Sequence, residues 1–259
     1  MTTIGVVLAG GTGSRLAPLT RTINKHLLPV NGQPMLHWPL RTLALAGIER
    51  VVVVLGGKSA GEIVEQFGSE YVVEGRTLRL AYVFQREAGG IGQALAVALP
   101  LVEEIGADRV RVILGDNVFP ADLVVAVPNE AGASVVGIDG LDHPERAYGC
   151  VAVADTPDGA GIRSAPVEKP RVPAPVAMRW VAVAGVYDLP VESAALGSLR
   201  KLIDGVRPST RGEVEVTDIL LAFHERGALH VEVVGDLWID AGEHEGYRIA
   251  NDPSFWPVP

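Results

Sequence analysis

The chain has 259 residues, 48% of them hydrophobic and 20% charged, with a formal net charge of −9. That length and apolar content suffice for a sizeable core, and the acidic balance excludes a general binder of nucleic acid or of an anionic membrane, both polyanions. The single cysteine, Cys150, excludes an intramolecular disulfide and any metal site built on several thiolates, and fits a reducing, cytoplasmic setting.

Thr3–Leu8 is a short apolar run rich in β-branched residues, cut off by Ala9-Gly10-Gly11-Thr12-Gly13. It reads as a buried strand opening into a glycine loop, not as a signal peptide, because no basic segment precedes it. No apolar run approaches the length of a bilayer span. Val51–Leu55, Leu78–Phe84 and Val110–Leu114 repeat the strand pattern, and Met35–Ala46, Ala60–Phe67 and Ile91–Val102 read as helices between them, the first preceded by Pro34. This alternation predicts an α/β fold with a doubly wound, mostly parallel sheet.

After Asn117 the pattern changes. Ala133–Gly137, Gly149–Val153 and Val181–Tyr187 read as strands without regular helices between them, and Arg171–Pro175 as a proline-rich loop. Val216–Glu225 reads as a helix, Leu229–Val234 as a late strand and His244–Ala250 as a final short helix. The expected layout is one domain over 1–259, with a first half (1–117), a mixed-sheet second half (118–259) and a ligand cleft at the carboxyl ends of the strands.

Leu8-Ala9-Gly10-Gly11-Thr12-Gly13-Ser14-Arg15-Leu16 carries the first chemical signal. Glycines let backbone N–H groups approach phosphate oxygens, and an arginine neutralises charge on a phosphoryl group under attack. A plain tight turn or a dinucleotide enzyme also uses such a loop. Neither G-x-G-x-x-G nor G-x-x-x-x-G-K-[ST] occurs, however, which counts against the dehydrogenase and P-loop readings. In Asn24-Lys25-His26-Leu27-Leu28-Pro29-Val30, Lys25 is either a solvated surface lysine or a second cation on the phosphate chain that Arg15 meets. His26 reads as a hydrogen-bonding spacer.

These motifs, with Gln33-Pro34-Met35, Gln85, Gly90-Ile91-Gly92-Gln93-Ala94, Leu114-Gly115-Asp116-Asn117, Tyr148-Gly149, Val167-Glu168-Lys169-Pro170, Gly185-Val186-Tyr187, Arg211-Gly212-Glu213-Val214-Glu215-Val216-Thr217-Asp218 and Trp238-Ile239-Asp240-Ala241-Gly242, resemble in order the sugar-1-phosphate nucleotidyltransferases, above all the glucose-1-phosphate thymidylyltransferase group. The resemblance spans nearly the whole chain. It implies a Rossmann-like fold whose first half binds nucleotide and whose second half binds sugar. It also implies transfer of a nucleotidyl group from a nucleoside triphosphate to a sugar-1-phosphate with release of pyrophosphate, dTTP and glucose-1-phosphate being the expected pair. Catalysis falls to Arg15, Lys25, Asp116 and Lys169. Nucleotide contacts fall to Leu8, the loop Gly10, Gly11, Thr12, Gly13, Ser14 and Arg15, to Gln85 and Gly90 for the base, and to Asp116. Sugar-phosphate contacts fall to Tyr148, Gly149, Glu168, Lys169, Val183, Arg211 and Trp238. Asp116 and Asp240 are the expected Mg²⁺ ligands, since hard carboxylate oxygens and phosphates suit that ion.

No covalent nucleophile is required, so the expected device is a local basic pocket in an otherwise acidic chain. Gly89 stands where longer members often carry aspartate, which leaves UTP, ATP or GTP and another sugar phosphate open, as well as a non-catalytic nucleotide-sugar-binding regulator. The segment after Asp240 is too short for the helices that longer members add, so the usual feedback site is not expected; a homo-oligomer remains open.

Overall fold

The computed structural model describes residues 1–119, 132–156, 159–162, 164–194, 196–234 and 238–256. The expected alternation is present in the first half: β1 (Thr3–Ala9), α1 (His37–Leu45), β2 (Arg50–Leu55), α2 (Ala60–Phe67), β3 (Glu70–Val73), β4 (Arg76–Phe84), α3 (Gly90–Ile105) and β5 (Arg109–Leu114). The second half contributes β6 (Ala133–Ile138), β7 (Gly149–Thr156), β8 (Gly159–Ile162), β9 (Val167–Glu168), β10 (Arg179–Pro190), α4 (Leu199–Gly205), α5 (Val216–His224), β11 (Leu229–Val234) and α6 (His244–Ala250).

One twisted sheet runs through both halves in the order β8-β7-β10-β5-β1-β2-β4-β3. The middle ladders β5-β1, β1-β2 and β2-β4 are parallel, while β3 closes one edge antiparallel and β10 joins β5 antiparallel. β6 pairs with β10 along its other side, and β11 pairs with β6 in parallel. The sheet is therefore mixed beyond β5, as the loss of βα alternation there implies.

Both faces are covered. Val6 and Leu8 of β1 pack with Leu95, Leu99 and Val102 of α3, while Val7 and Ala9 pack with Leu40 and Leu43 of α1. This is why β1 reads as a continuous apolar run and not an alternating one. Burying such side chains contributes about 1.5–3 kcal/mol each relative to exposure.

Three local details differ from the expected elements. The first helix starts at His37, because Pro29–Val30 and Gln33–Pro34 form a small hairpin whose Asn31-Gly32 turn has φ of 45° and 76°, the turn chemistry that Asn-Gly supplies. Edge strand β3 was not expected, since only Val73 of its four residues is fully buried. Helix α4, also unexpected, is a seven-residue element started by Ser198, whose side chain accepts from Lys201 N.

Candidate active site

β1 ends at Ala9, and the chain turns at Gly10 and Gly11 over the carboxyl edge of the sheet. Both glycines pass close to side chains of the site. A Cβ on Gly10 would lie 2.3 Å from Gln85 Oε1, and one on Gly11 would lie 3.1 Å from Lys25 Nζ. Gln85, which follows β4, is buried, and its Nε2 donates to Gln93 Oε1 on α3. The opening turn of α3 is fixed across the cleft: Gly92 N donates to Val214 O (2.9 Å) and Val214 N donates to Gly89 O (2.8 Å). Gly90 sits there with φ +91°, where an added Cβ would meet Val214 O at 2.8 Å.

The centre of the site is ionic. Lys25 Nζ lies 2.5 Å from Asp116 Oδ2, both side chains being about nine-tenths buried. Asp116 follows β5, and Ala241 N donates to its carbonyl (2.9 Å) while Asp240 pairs with Asn117. That small ladder brings the two aspartates together: a Cβ on Gly242 would lie 2.4 Å from Asp116 Oδ2 and 2.9 Å from Asp240 Oδ1. Burial alone would raise the Asp116 carboxyl, but the charge and hydrogen bond of Lys25 outweigh it and hold it low. For Asp240 the balance is reversed: burial, then the Asp116 carboxylate, push it up to about 6 against the opposing pull of Arg15 and the Gly242 N–H. Two hard oxygen donors thus converge on space that a glycine keeps open, which suits a divalent cation completed by phosphates and water. Arg15 reaches the same place from outside: its Nη1 is 3.7 Å from Asp240 Oδ2 and is bonded to Glu243.

His26 behaves as a spacer. It is fully buried, its ring Nδ1 meets Asn24 Oδ1 at 2.9 Å, and burial holds it neutral, with its pKa lowered to about 3. Gly115 must be glycine to pass it, since a Cβ there would touch the imidazole at 2.7 Å.

The opposite end is built by β7, β9 and the approach to α5. Gly149 pairs with Glu168, and Lys169 N donates to Tyr148 O (3.1 Å). Lys169 occupies the left-handed region at φ 43°, a conformation that costs a non-glycine residue about 1–3 kcal/mol and is concentrated at functional sites. Arg211 is held by three carboxylates: Glu215 at 2.8 Å, Glu168 at 3.3 Å and Glu213 at 3.5 Å. Burial, and then Glu215, raise the Glu168 carboxyl. Val183 and Tyr187 bracket the register shift in the β10-β6 ladder, and Gly185 between them passes Leu114 so closely that a Cβ would lie 2.3 Å from its Cγ.

The two ends meet in one cavity of about 560 Å³. Of the expected residues, Leu8, Gly10, Gly11, Arg15, Lys25, Gln85, Gly90, Asp116, Tyr148, Gly149, Glu168, Lys169, Val183, Arg211 and Asp240 face it. Thr12, Gly13 and Ser14 do not; the loop turns outward there, Gly13 at φ +69° with its carbonyl bonded by Thr20 Oγ1, and carries Arg15 back toward Asp240. Trp238 is buried behind the wall, edge-on to Tyr148 with centroids 5.2 Å apart, so it backs a lining residue and does not line the cavity itself. Sequence reasoning gave no role to Gln93, Glu213, Glu215, Thr217 or Glu243. The alternation of acids after Arg211 and the glutamate three residues beyond Asp240 were the signals.

The lining is not simply basic. Arg15, Lys25, Lys169 and Arg211 face Asp116, Glu168, Glu213, Glu215 and Asp240, and each of the four cations has a carboxylate within 4 Å. The Lys25–Asp116 pair is the buried one, and there an unpaired charge would cost several kcal/mol, so compensation is required at that point.

Residues 4–253 match the model of the nucleotidyl transferase family. The chain belongs to that family. It is 32% identical to the glucose-1-phosphate thymidylyltransferase of Neisseria meningitidis over 254 residues, 95% of this chain and 80% of that protein. Identity to the protein of the same name from Neisseria gonorrhoeae is 34% over 255 residues, again 95% of this chain and 80% of the relative. Among solved structures, a protein from Bacillus anthracis described as a glucose-1-phosphate thymidylyltransferase, in complex with sucrose, superposes with a TM-score of 0.76 at 34% identity, covering 96% of this chain and 94% of that one. A UDP-glucose pyrophosphorylase in complex with UDP-glucose superposes with a TM-score of 0.77 at 22% identity, covering 98% and 99%, and shares the fold. The chain is accordingly an enzyme that transfers a nucleotidyl group. Among the described residues no helix is long and apolar enough to cross a membrane.

Proposed function

We propose that the enzyme joins the nucleoside monophosphate of dTTP to glucose-1-phosphate, forming a nucleotide sugar and releasing pyrophosphate, with residues 1–117 contributing mainly the nucleotide end and 118–259 the sugar end. The observation that carries this reading is the convergence of Arg15, Lys25, Asp116 and Asp240 between a glycine loop beside Gln85 and the Glu168-Lys169-Arg211 cluster, all on one cavity. Relatives named glucose-1-phosphate thymidylyltransferase support the substrate pair. A glutamine amide both donates and accepts, and so fits the edge of a keto pyrimidine. A cytoplasmic reaction agrees with the single buried thiol, Cys150.

The chemistry is a displacement at the α-phosphorus. A phosphate oxygen of the sugar-1-phosphate attacks, the P–O bond to the β-phosphate breaks, and pyrophosphate leaves with the electron pair. The second ionisation of a phosphate monoester has a pKa of about 6, so the nucleophile is already dianionic at neutral pH and no general base is needed. The obstacle is repulsion between two polyanions, and catalysis is positioning with charge neutralisation. Gly10 and Gly11 open the approach for the triphosphate. Arg15, now on Glu243, turns to the leaving pyrophosphate, and Lys25 meets the α-phosphoryl oxygens. Lys169 and Arg211 hold the sugar phosphate, and Glu168 accepts from sugar hydroxyls. Asp116 and Asp240 would hold Mg²⁺, which supplies Lewis-acid charge neutralisation when bound.

Pyrophosphate release measured over dTTP, UTP, ATP and GTP crossed with several sugar-1-phosphates, with and without Mg²⁺, tests the reading. Highest kcat/KM is expected for dTTP with glucose-1-phosphate and Mg²⁺. A different preferred pair would replace the substrate assignment, and no release from any pair would overturn the reaction.

A further inference from the structure

We infer that Gln93 is a positioning residue that fixes the orientation of the Gln85 amide and thereby sets which pyrimidine the site accepts; this rests on Gln85 reading the base. Three observations lead there. Gln85 is buried at the cavity wall, so its amide has few alternative partners. Its Nε2 donates to Gln93 Oε1, while its own Oε1 faces Gly10, where a Cβ would lie 2.3 Å away. Gly89 leaves the room that Gln93 occupies, since a Cβ there would lie 3.0 Å from Gln93 Cγ and 3.2 Å from its Cδ. Gly89 is tied in turn through its carbonyl to Val214 N (2.8 Å).

The consequence follows from base chemistry. Thymine and uracil present a donor at N3 and an acceptor at O4; cytosine presents an acceptor at N3 and a donor at N4. A glutamine amide is complementary to one pattern in one orientation and to the other after a 180° flip. With the amide free to turn, the site pairs with both classes. While Gln93 presents its oxygen, Nε2 of Gln85 is committed to α3 and the other class meets unpaired donors or acceptors, a mismatch worth about tenfold per group.

The test compares kcat/KM for dTTP, UTP and CTP, with glucose-1-phosphate fixed, in the unaltered enzyme and in Gln85→Leu, Gln93→Met and Gln93→Glu. Methionine keeps the shape of Gln93 and removes its acceptor; glutamate keeps only acceptors. The preference for dTTP and UTP over CTP should fall about tenfold or more in Gln93→Met and be held or increased in Gln93→Glu, with little change in KM for the sugar phosphate in either. If Gln93→Met is unfolded by circular dichroism, Gln93→Lys serves. A donor at that position should turn the amide and move the ratio toward CTP. An unchanged ratio in Gln93→Met or in Gln93→Lys, alongside a collapsed ratio in Gln85→Leu, overturns the positioning role and leaves the base reading intact. An unchanged ratio in Gln85→Leu overturns the base reading and the role of Gln93 with it.

Discussion

Lys25 Nζ lies 2.5 Å from Asp116 Oδ2 in a pair that is about nine-tenths buried, joining the loop after β1 to the end of β5. The lysine keeps its neighbour ionised, while Asp240, which shares the same space, is pushed up to about 6 by burial and by Asp116. One centre therefore brings a lysine and two carboxylates of different acidity together, and the proposed function gives the lysine to phosphate and the carboxylates to a divalent ion.

Breaking this pair should cost both stability and turnover. Lys25→Ala leaves a buried carboxylate uncompensated, a loss of about 3–5 kcal/mol by urea denaturation, and should reduce kcat by about 10²–10³. Replacing both partners, as Lys25→Met with Asp116→Leu, should recover much of the stability and none of the activity. A double variant as unstable as Lys25→Ala would show that the pair is not what sets the cost.

Gly242→Ala tests the geometry of the two carboxylates. The new Cβ would lie 2.4 Å from Asp116 Oδ2 and 2.9 Å from Asp240 Oδ1, and Lys25 prevents Asp116 from moving freely. Activity should fall at least a hundredfold, a loss of about 2.7 kcal/mol in transition-state stabilisation, with a higher Mg²⁺ requirement and a near-native far-ultraviolet spectrum. Activity within a few-fold of the unaltered enzyme would place the metal elsewhere.

At the sugar end, Lys169→Ala should raise KM for the sugar phosphate by about tenfold to a hundredfold, the loss of one or two charge-assisted contacts, and leave KM for dTTP little changed. Steady-state kinetics with each substrate varied in turn separates the two ends.

His26 gives the fold an acid limit. Its folded pKa, lowered first by burial and then by Lys25, is about 3, below the ordinary 6.5. The stability it contributes is therefore complete above pH 6.5 and is lost as pH falls from there toward 3, by at most about 1.4 kcal/mol per pH unit. Urea unfolding between pH 7 and pH 4 should show a steeper decline for the unaltered protein than for His26→Gln. Parallel curves would remove the histidine from the account.

Much of this was legible in the sequence. β-branched runs located the central strands, and the order of short motifs located Gly10, Lys25, Asp116, Glu168 and Asp240. What was not legible depends on contacts distant in the chain. Gln93 acquires meaning only because α3 swings it under Gln85, and Glu243 only because Arg15 returns to it across 228 positions. Thr12 to Ser14 read as phosphate-binding loop residues; Thr12 and Ser14 are exposed and none of the three lines the cavity, a placement set by the fold of the loop around Gly13. Trp238 reads like a lining aromatic, but the ladder at Ile239–Asp240 buries it behind Tyr148.

The most direct test of a single displacement between two substrates in one cavity is exchange of labelled pyrophosphate into dTTP. With Mg²⁺, exchange should require glucose-1-phosphate and be absent without it, because the sugar phosphate is the only nucleophile. Exchange in the absence of any sugar phosphate would reveal a nucleotidyl-enzyme intermediate and contradict the mechanism, as would no exchange when both substrates are supplied.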